Sequence, residues 1–143
     1  MVEGYILPRV ASPSQPLRLG VLISGSGSGL EALLRHQENN EVNHETVLVI
    51  SDQPGVMGLD RASRFGVMGI CVPLPPRSDF SEGKEGALAR RFAHEEEISN
   101  KLNEYDVELV VCSGYMRILT DNFLSPRLGR VINIHPSPWG DKG

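Results

Sequence analysis

The sequence predicts an α/β fold: a Rossmann-like open parallel sheet of about five strands, with helices on both faces. Two observations predict it. Short apolar or β-branched runs alternate with longer helical patterns along the chain, the order that builds parallel βαβ units. Three of those runs end directly in a loop of glycine or polar residues, and an open parallel sheet gathers such loops at one edge.

Residues 1–16 carry Pro8, Ser12, Pro13, Ser14 and Pro16 and no signal-peptide core, and they read as a disordered leader before a domain over 17–143. A first strand is expected at about 18–24, then a glycine-rich turn and a helix at 29–39 that stops at Asn39-Asn40. A strand at 46–51 and a helix at 56–65 follow, with Gly66 as the stop signal, and a third strand lies at 69–72. Pro73, Pro75 and Pro76 make a stiff connection, and Ser81-Glu82-Gly83-Lys84-Glu85-Gly86 reads as a polar surface insertion. A long helix falls within 84–104, and its acidic stretch at 93–97 (AHEEE) reads as a solvated face. A strand at 107–112, a short helix near 120–126 and a strand at 131–134 complete the pattern, and Pro136 stops the last ladder. The expected strand order is 3-2-1-4-5, with the final strand at an edge.

Composition narrows the functions. A chain of 143 residues makes one domain, able to bury roughly two-thirds of its unfolded surface. A net charge of −4 argues against a general nucleic-acid binder, which carries a basic stripe. Cys71 and Cys112 lie in apolar runs and read as buried free thiols of a reducing compartment, hence a cytoplasmic protein. His36, His44, His94 and His135 are scattered and not paired with cysteines at metal-ligand spacing, so no metal is expected. No apolar run is long enough to span a bilayer. The expected partners are small molecules, with neither nucleic acid nor membrane among them, and a possible homo-oligomer through the exposed sheet edge.

Three motifs carry chemistry. In Asn133-Ile134-His135-Pro136-Ser137 the spacing i, i+2 places Asn133 and His135 on one side of a strand end. An amide and an imidazole held together suit donation to an oxygen that gains negative charge. A lone N-x-H would more simply be a strand end whose polar residues cap the backbone. In Ser24-Gly25-Ser26-Gly27-Ser28-Gly29 a strand runs through glycines into a helix start, an anion cradle in which free amides point at a phosphate. A dinucleotide fingerprint is a partial rival: Gly25 and Gly27 match its start, and Asp52 falls near the ribose-binding position. Leu30, however, stands where its third glycine belongs. The third motif, Gly114-Tyr115-Met116-Arg117-Ile118-Leu119, follows the apolar run at 107–112.

Together these motifs resemble phosphoribosylglycinamide formyltransferase, in the folate-dependent formyltransferase superfamily, from about Leu17 to Ser137. N-x-H-P-S alone would also suit formyltetrahydrofolate deformylase and other N-x-H formyltransferases, and the glycine-rich loop favours the glycinamide ribonucleotide branch. The resemblance implies formyl transfer from 10-formyltetrahydrofolate, as cosubstrate, to the amine of glycinamide ribonucleotide in purine biosynthesis. It assigns Asn133 and His135 as catalytic, and Gly27, Ser28 and Gly29 as binders of the substrate phosphate. Met116, Arg117, Ile118, Leu119, Cys112 and Leu124 become the folate site. Phe80 and Lys84 would reach toward the substrate.

The sequence also departs from the family. Gly29 replaces a usual asparagine, Cys112 a larger aliphatic, and Ser137-Pro138-Trp139-Gly140 the usual S-L-L-P. The family's catalytic aspartate lies some three dozen positions beyond the histidine, so the expectation is a C-terminally truncated enzyme with slow or no turnover. A catalytically inactive phosphate- and folate-binding fragment is the alternative, and a nucleotide-binding oxidoreductase domain stands third.

Overall fold

The computed structural model describes residues 9–134. Five strands, β1 (Leu17–Ile23), β2 (His44–Ser51), β3 (Met68–Cys71), β4 (Leu109–Ser113) and β5 (Val131–Ile134), form one sheet in the order β3-β2-β1-β4-β5. All four pairings are parallel, as the alternation of the sequence requires. The helices are α1 (Ser28–Asn39), α2 (Met57–Arg64), α3 (Gly83–Glu104) and the short α4 (Asp121–Leu124), which runs into a 3-10 turn at Ser125–Arg127.

Strand alternation divides the core into two layers. Leu19, Val21 and Ile23 of β1, Val49 of β2 and Val111 of β4 pack against Leu30 and Leu34 of α1 and Ala62 of α2. Leu22, Leu48, Ile50, Val110 and Cys112 point the other way, onto Ile98 and Leu102 of α3 and Phe123 of α4. Strands buried on both faces read as continuous apolar runs, which is why LRLGVLI and TVLVI are so plain in the sequence. Every strand therefore ends at one rim, where the loops after β1 and β4 meet beside the end of β5.

Three local expectations change. Residues 9–16, inside the expected leader, carry definite contacts: Arg9 Nε donates to Glu108 Oε2 at 2.7 Å, and Ser12 and Gln15 exchange backbone hydrogen bonds. An ion pair to the turn before β4 ties this stretch to the body. The polar segment at 81–86 is not wholly an insertion, because α3 already begins at Gly83 and Gly86 is buried beneath the Ser81 carbonyl. The acidic stretch of α3 is not a solvated face throughout. His94 and Glu95 are only 3% and 4% exposed. His94 Nε2 lies 2.6 Å from the Val72 carbonyl oxygen, and Glu95 accepts hydrogen bonds from the Thr120 amide at 2.9 Å and hydroxyl at 2.5 Å. These polar groups are buried because each has found a partner across the fold.

Among the described residues, β5 pairs with β4 on one side and its other edge is open. Ile132 and Ile134 remain 48% and 47% exposed. With Leu19, Leu33, Leu109 and Val111 they border an apolar trough of about 350 Å³ on the α1 side of the sheet.

Candidate active site

The glycine-rich loop turns the chain from β1 into α1. Gly27, with φ 71°, occupies the left-handed region at the helix start, and no side chain caps the helix. Glu31 N donates to Gly27 O at 2.8 Å and is the first amide closed within the helix. The amides of Ser28, Gly29 and Leu30 precede it and have no carbonyl one turn back to bind. Three free donors at the positive end of a twelve-residue helix make an anion cradle.

The loop is held from α2. Gly58 N donates to Gly25 O at 3.1 Å, and Arg61 Nε donates to Ser26 O at 2.7 Å. Arg61 also pairs with Glu31, which binds Arg35 as well at 2.6 Å. Arg35 first and Arg61 second hold the Glu31 carboxyl below the usual carboxylate range. Two backbones touch here: a Cβ on Gly27 would lie 2.7 Å from the Gly58 Cα. Sequence reading did not find Arg61 or Gly58, since nothing in local spacing marks a helix thirty residues away as the clamp of this loop.

The loop after β4 joins the same rim. Gly114 turns it with φ 69°, and Met116 N donates to Ser24 Oγ at 2.8 Å. Arg117 Nε donates to Asp52 Oδ2 at 2.8 Å, and Arg91 Nη2 to the Ile118 carbonyl at 2.9 Å. Two clefts result. One, of about 500 Å³, is lined by residues 24–29, Ser113, Gly114, Met116 and Ile134. The other, of about 310 Å³, is lined by Leu74, Tyr115, Met116, Arg117, Ile118 and Leu119 with the α3 side chains Arg91, His94 and Glu95. Met116 borders both, and it and Ile118 are 81% and 82% exposed. Such large apolar side chains kept in water at a cleft rim are candidates for covering a flat ligand.

Asn133 pairs in register with Cys112. Alternation places it on the side of Val131, which packs on the α3 layer. Its neighbour Ile134 lines the 500 Å³ cleft, and Asn133 itself lines neither cleft. Its side chain has no hydrogen-bond partner among the described residues. His135 lies outside the described residues. Thus Gly27, Ser28 and Gly29 share one cleft, Met116 to Leu119 share the other, and Asn133 lies in β5 one residue before Ile134 of the first cleft.

Other expected residues sit elsewhere. Cys112 is buried in the α3-side core and Leu124 packs against that core; neither lines either cleft. The same holds for Phe80 and Lys84, which line neither. Asp52 is buried and engaged by Arg117, so its Oδ2 is not presented to a ribose. Burial first, and then the Asp52 charge, push the Tyr115 hydroxyl above its ordinary range.

Both cysteines are free thiols. Burial raises the Cys112 thiol to about 11, which leaves only about one thiol in a thousand ionised at pH 8. Cys71 is only partly buried. Alkylation of the native protein at pH 8 is therefore expected to mark Cys71 before Cys112, with Cys112 reacting on the timescale of unfolding. Mass spectrometry after timed quenching checks this, and equal labelling of both would contradict the burial of Cys112.

A glycine-rich turn into a helix, a loop with an exposed apolar rim and an amide near the end of the edge strand place the chain in a class. It belongs to the formyl transferase family, whose model matches residues 17–138. Among its relatives is the trifunctional purine biosynthetic protein adenosine-3 of Drosophila melanogaster, 36% identical over 122 residues, covering 84% of this chain and 8% of that protein. Phosphoribosylglycinamide formyltransferase of Escherichia coli (strain K12) is 31% identical over 121 residues, covering 85% of this chain and 52% of the relative. The crystal structure of glycinamide ribonucleotide transformylase 1 from Symbiobacterium toebii superposes with a TM-score of 0.72 at 32% identity, covering 88% of this chain and 54% of that one. The chain thus spans about half the length of these single-function relatives.

Proposed function

We propose that this chain takes part in folate-dependent formyl transfer from 10-formyltetrahydrofolate to the amine of glycinamide ribonucleotide, in purine biosynthesis. The observation that carries the reading is the meeting of the loops after β1 and β4 with the end of β5 around adjoining clefts. The family match and the relatives named above support it. In this reading the amides of Gly27, Ser28 and Gly29 hold the substrate phosphate. The main chain of Arg117, Ile118 and Leu119 meets the pterin, with Met116 over it. Cys112 and Leu124 act from behind, through the packing of the sheet end and not by contact. The substrate amine attacks the formyl carbon, the carbonyl oxygen becomes an oxyanion, and the bond to the folate nitrogen then breaks. Asn133 donates to the oxyanion. His135, when protonated, donates to it or passes a proton onward. Free thiols and the purine-pathway relatives fit a cytoplasmic setting.

Titration with glycinamide ribonucleotide, followed by amide resonances, tests the reading. Shifts at Gly25 to Gly29 that inorganic phosphate competes away are expected, together with formyl transfer from the folate donor in a single-turnover assay. Binding of a nicotinamide dinucleotide at this loop, with no response to glycinamide ribonucleotide, would overturn it.

The outer edge of β5, open among the described residues, supports self-association of the polypeptide. No proline or lysine protects Val131–Ile134, and unpaired strand groups beside half-exposed isoleucines favour pairing with a second copy. Light scattering is expected to read dimers or larger. A stable monomer at high concentration, with slow amide exchange in β5, contradicts this.

A further inference from the structure

Ser113 ends β4 and is turned toward α1, opposite in sense to Cys112. It is only 9% exposed, yet its hydroxyl makes no hydrogen bond to any described residue. It lines the 500 Å³ cleft together with the whole glycine-rich loop. Its position relative to Gly29 is what singles it out. A Cβ built on Gly29 would lie 2.6 Å from Ser113 Oγ and meets nothing else within 4 Å. The hydroxyl thus occupies the space that a side chain at position 29 would enter.

A hydroxyl that lines a cleft from a largely enclosed residue and bonds no described group is a donor available to a ligand. This one sits over the first turn of α1, beside the amides of Ser28, Gly29 and Leu30, which lack acceptors of their own. An oxyanion lying on those amides has oxygens to spare for a further donor. We propose that Ser113 is a direct ligand of the phosphate monoester, its Oγ supplying from β4 the side-chain donor that Gly29 cannot supply from α1. The inference rests on the phosphate reading of the glycine-rich loop and adds to it the residue that completes the cradle. It also makes positions 29 and 113 interdependent: one side chain fits between them, not two.

The test is binding of inorganic phosphate and of glycinamide ribonucleotide to four forms of the 143-residue chain, read by calorimetry or amide shifts. The forms are the unaltered chain, Ser113→Ala, Gly29→Ser, and the double substitution. Ser113→Ala is expected to weaken both ligands roughly 10-fold, the loss of one hydrogen bond to a charged group, with an unchanged melting temperature. Gly29→Ser alone crowds the site and weakens binding. Combined with Ser113→Ala it restores affinity to within a few-fold of the unaltered chain, a rescue that a purely structural role for Ser113 would not give. Equal phosphate binding by the unaltered chain and Ser113→Ala overturns this inference and leaves the phosphate cradle standing. Absence of phosphate binding by the unaltered chain overturns both.

Discussion

Alanine in place of Asn133 is expected to slow formyl transfer by about two to three orders of magnitude, the usual cost of removing one donor from a developing oxyanion. The expectation rests on position and availability. Asn133 is in register with Cys112, precedes a residue that lines the cleft of the glycine-rich loop, and spends its side-chain amide on no described protein group. Since no described group holds this side chain, the melting temperature and the affinity for inorganic phosphate should both stay near their starting values. Single-turnover transfer, with the polypeptide in excess over the folate donor, measures the effect. Aspartate at the same position keeps the size but places negative charge beside the oxyanion, and it should be at least as damaging as alanine. A transfer rate within a few-fold of the unaltered protein would remove Asn133 from the chemistry.

The sheet and its order could be read from the sequence because buried parallel strands write themselves as apolar runs, and each loop that follows has its own signature. Boundaries moved where backbone geometry, not hydrophobicity, decides them. The strand expected at 107–112 begins at Leu109, because residues 105–107 are still closing the end of α3: Val107 N donates to Leu102 O, and Asp106 turns with φ 53°. Valine looks like strand in either role. The buried pair His94 and Glu95 was unreadable for a different reason. Charge pattern reports solvent preference, whereas their partners, the Val72 carbonyl and Thr120, lie 22 and 25 residues away and exist only in the folded chain. The site divides along the same line. Gly27, Ser28, Gly29 and Met116 to Leu119 announce themselves as motifs, while Arg61, Gly58 and Ser113 act through contacts that no local pattern encodes.

Valine in place of Gly58 is expected to have the strongest effect on the cradle of any change outside it. Gly58 is buried at the start of α2, where even a Cβ would overlap Ile23 Cδ1 and lie 2.8 Å from the Gly25 carbonyl oxygen and 3.4 Å from the Gly27 Cα. Ile23 is itself fully buried, so its side chain has nowhere to retreat. The strain must therefore push α2 away from the loop. That movement breaks the Gly58 N–Gly25 O hydrogen bond and draws Arg61 off the Ser26 carbonyl and Glu31 together. Overpacking of this kind costs about 1–3 kcal/mol, occasionally more, and the freed loop loses the fixed amide directions on which an anion depends. Urea unfolding should show a lower midpoint with an unchanged slope. Phosphate binding should fall by more than the stability loss explains when measured where the variant is still folded. Alanine should show the same two effects at smaller size, since its single methyl meets the same atoms. A valine variant with unaltered phosphate affinity would mean that the loop holds its shape without α2, and that the Gly25, Ser26 and Gly27 contacts are a consequence of packing and not the source of the site.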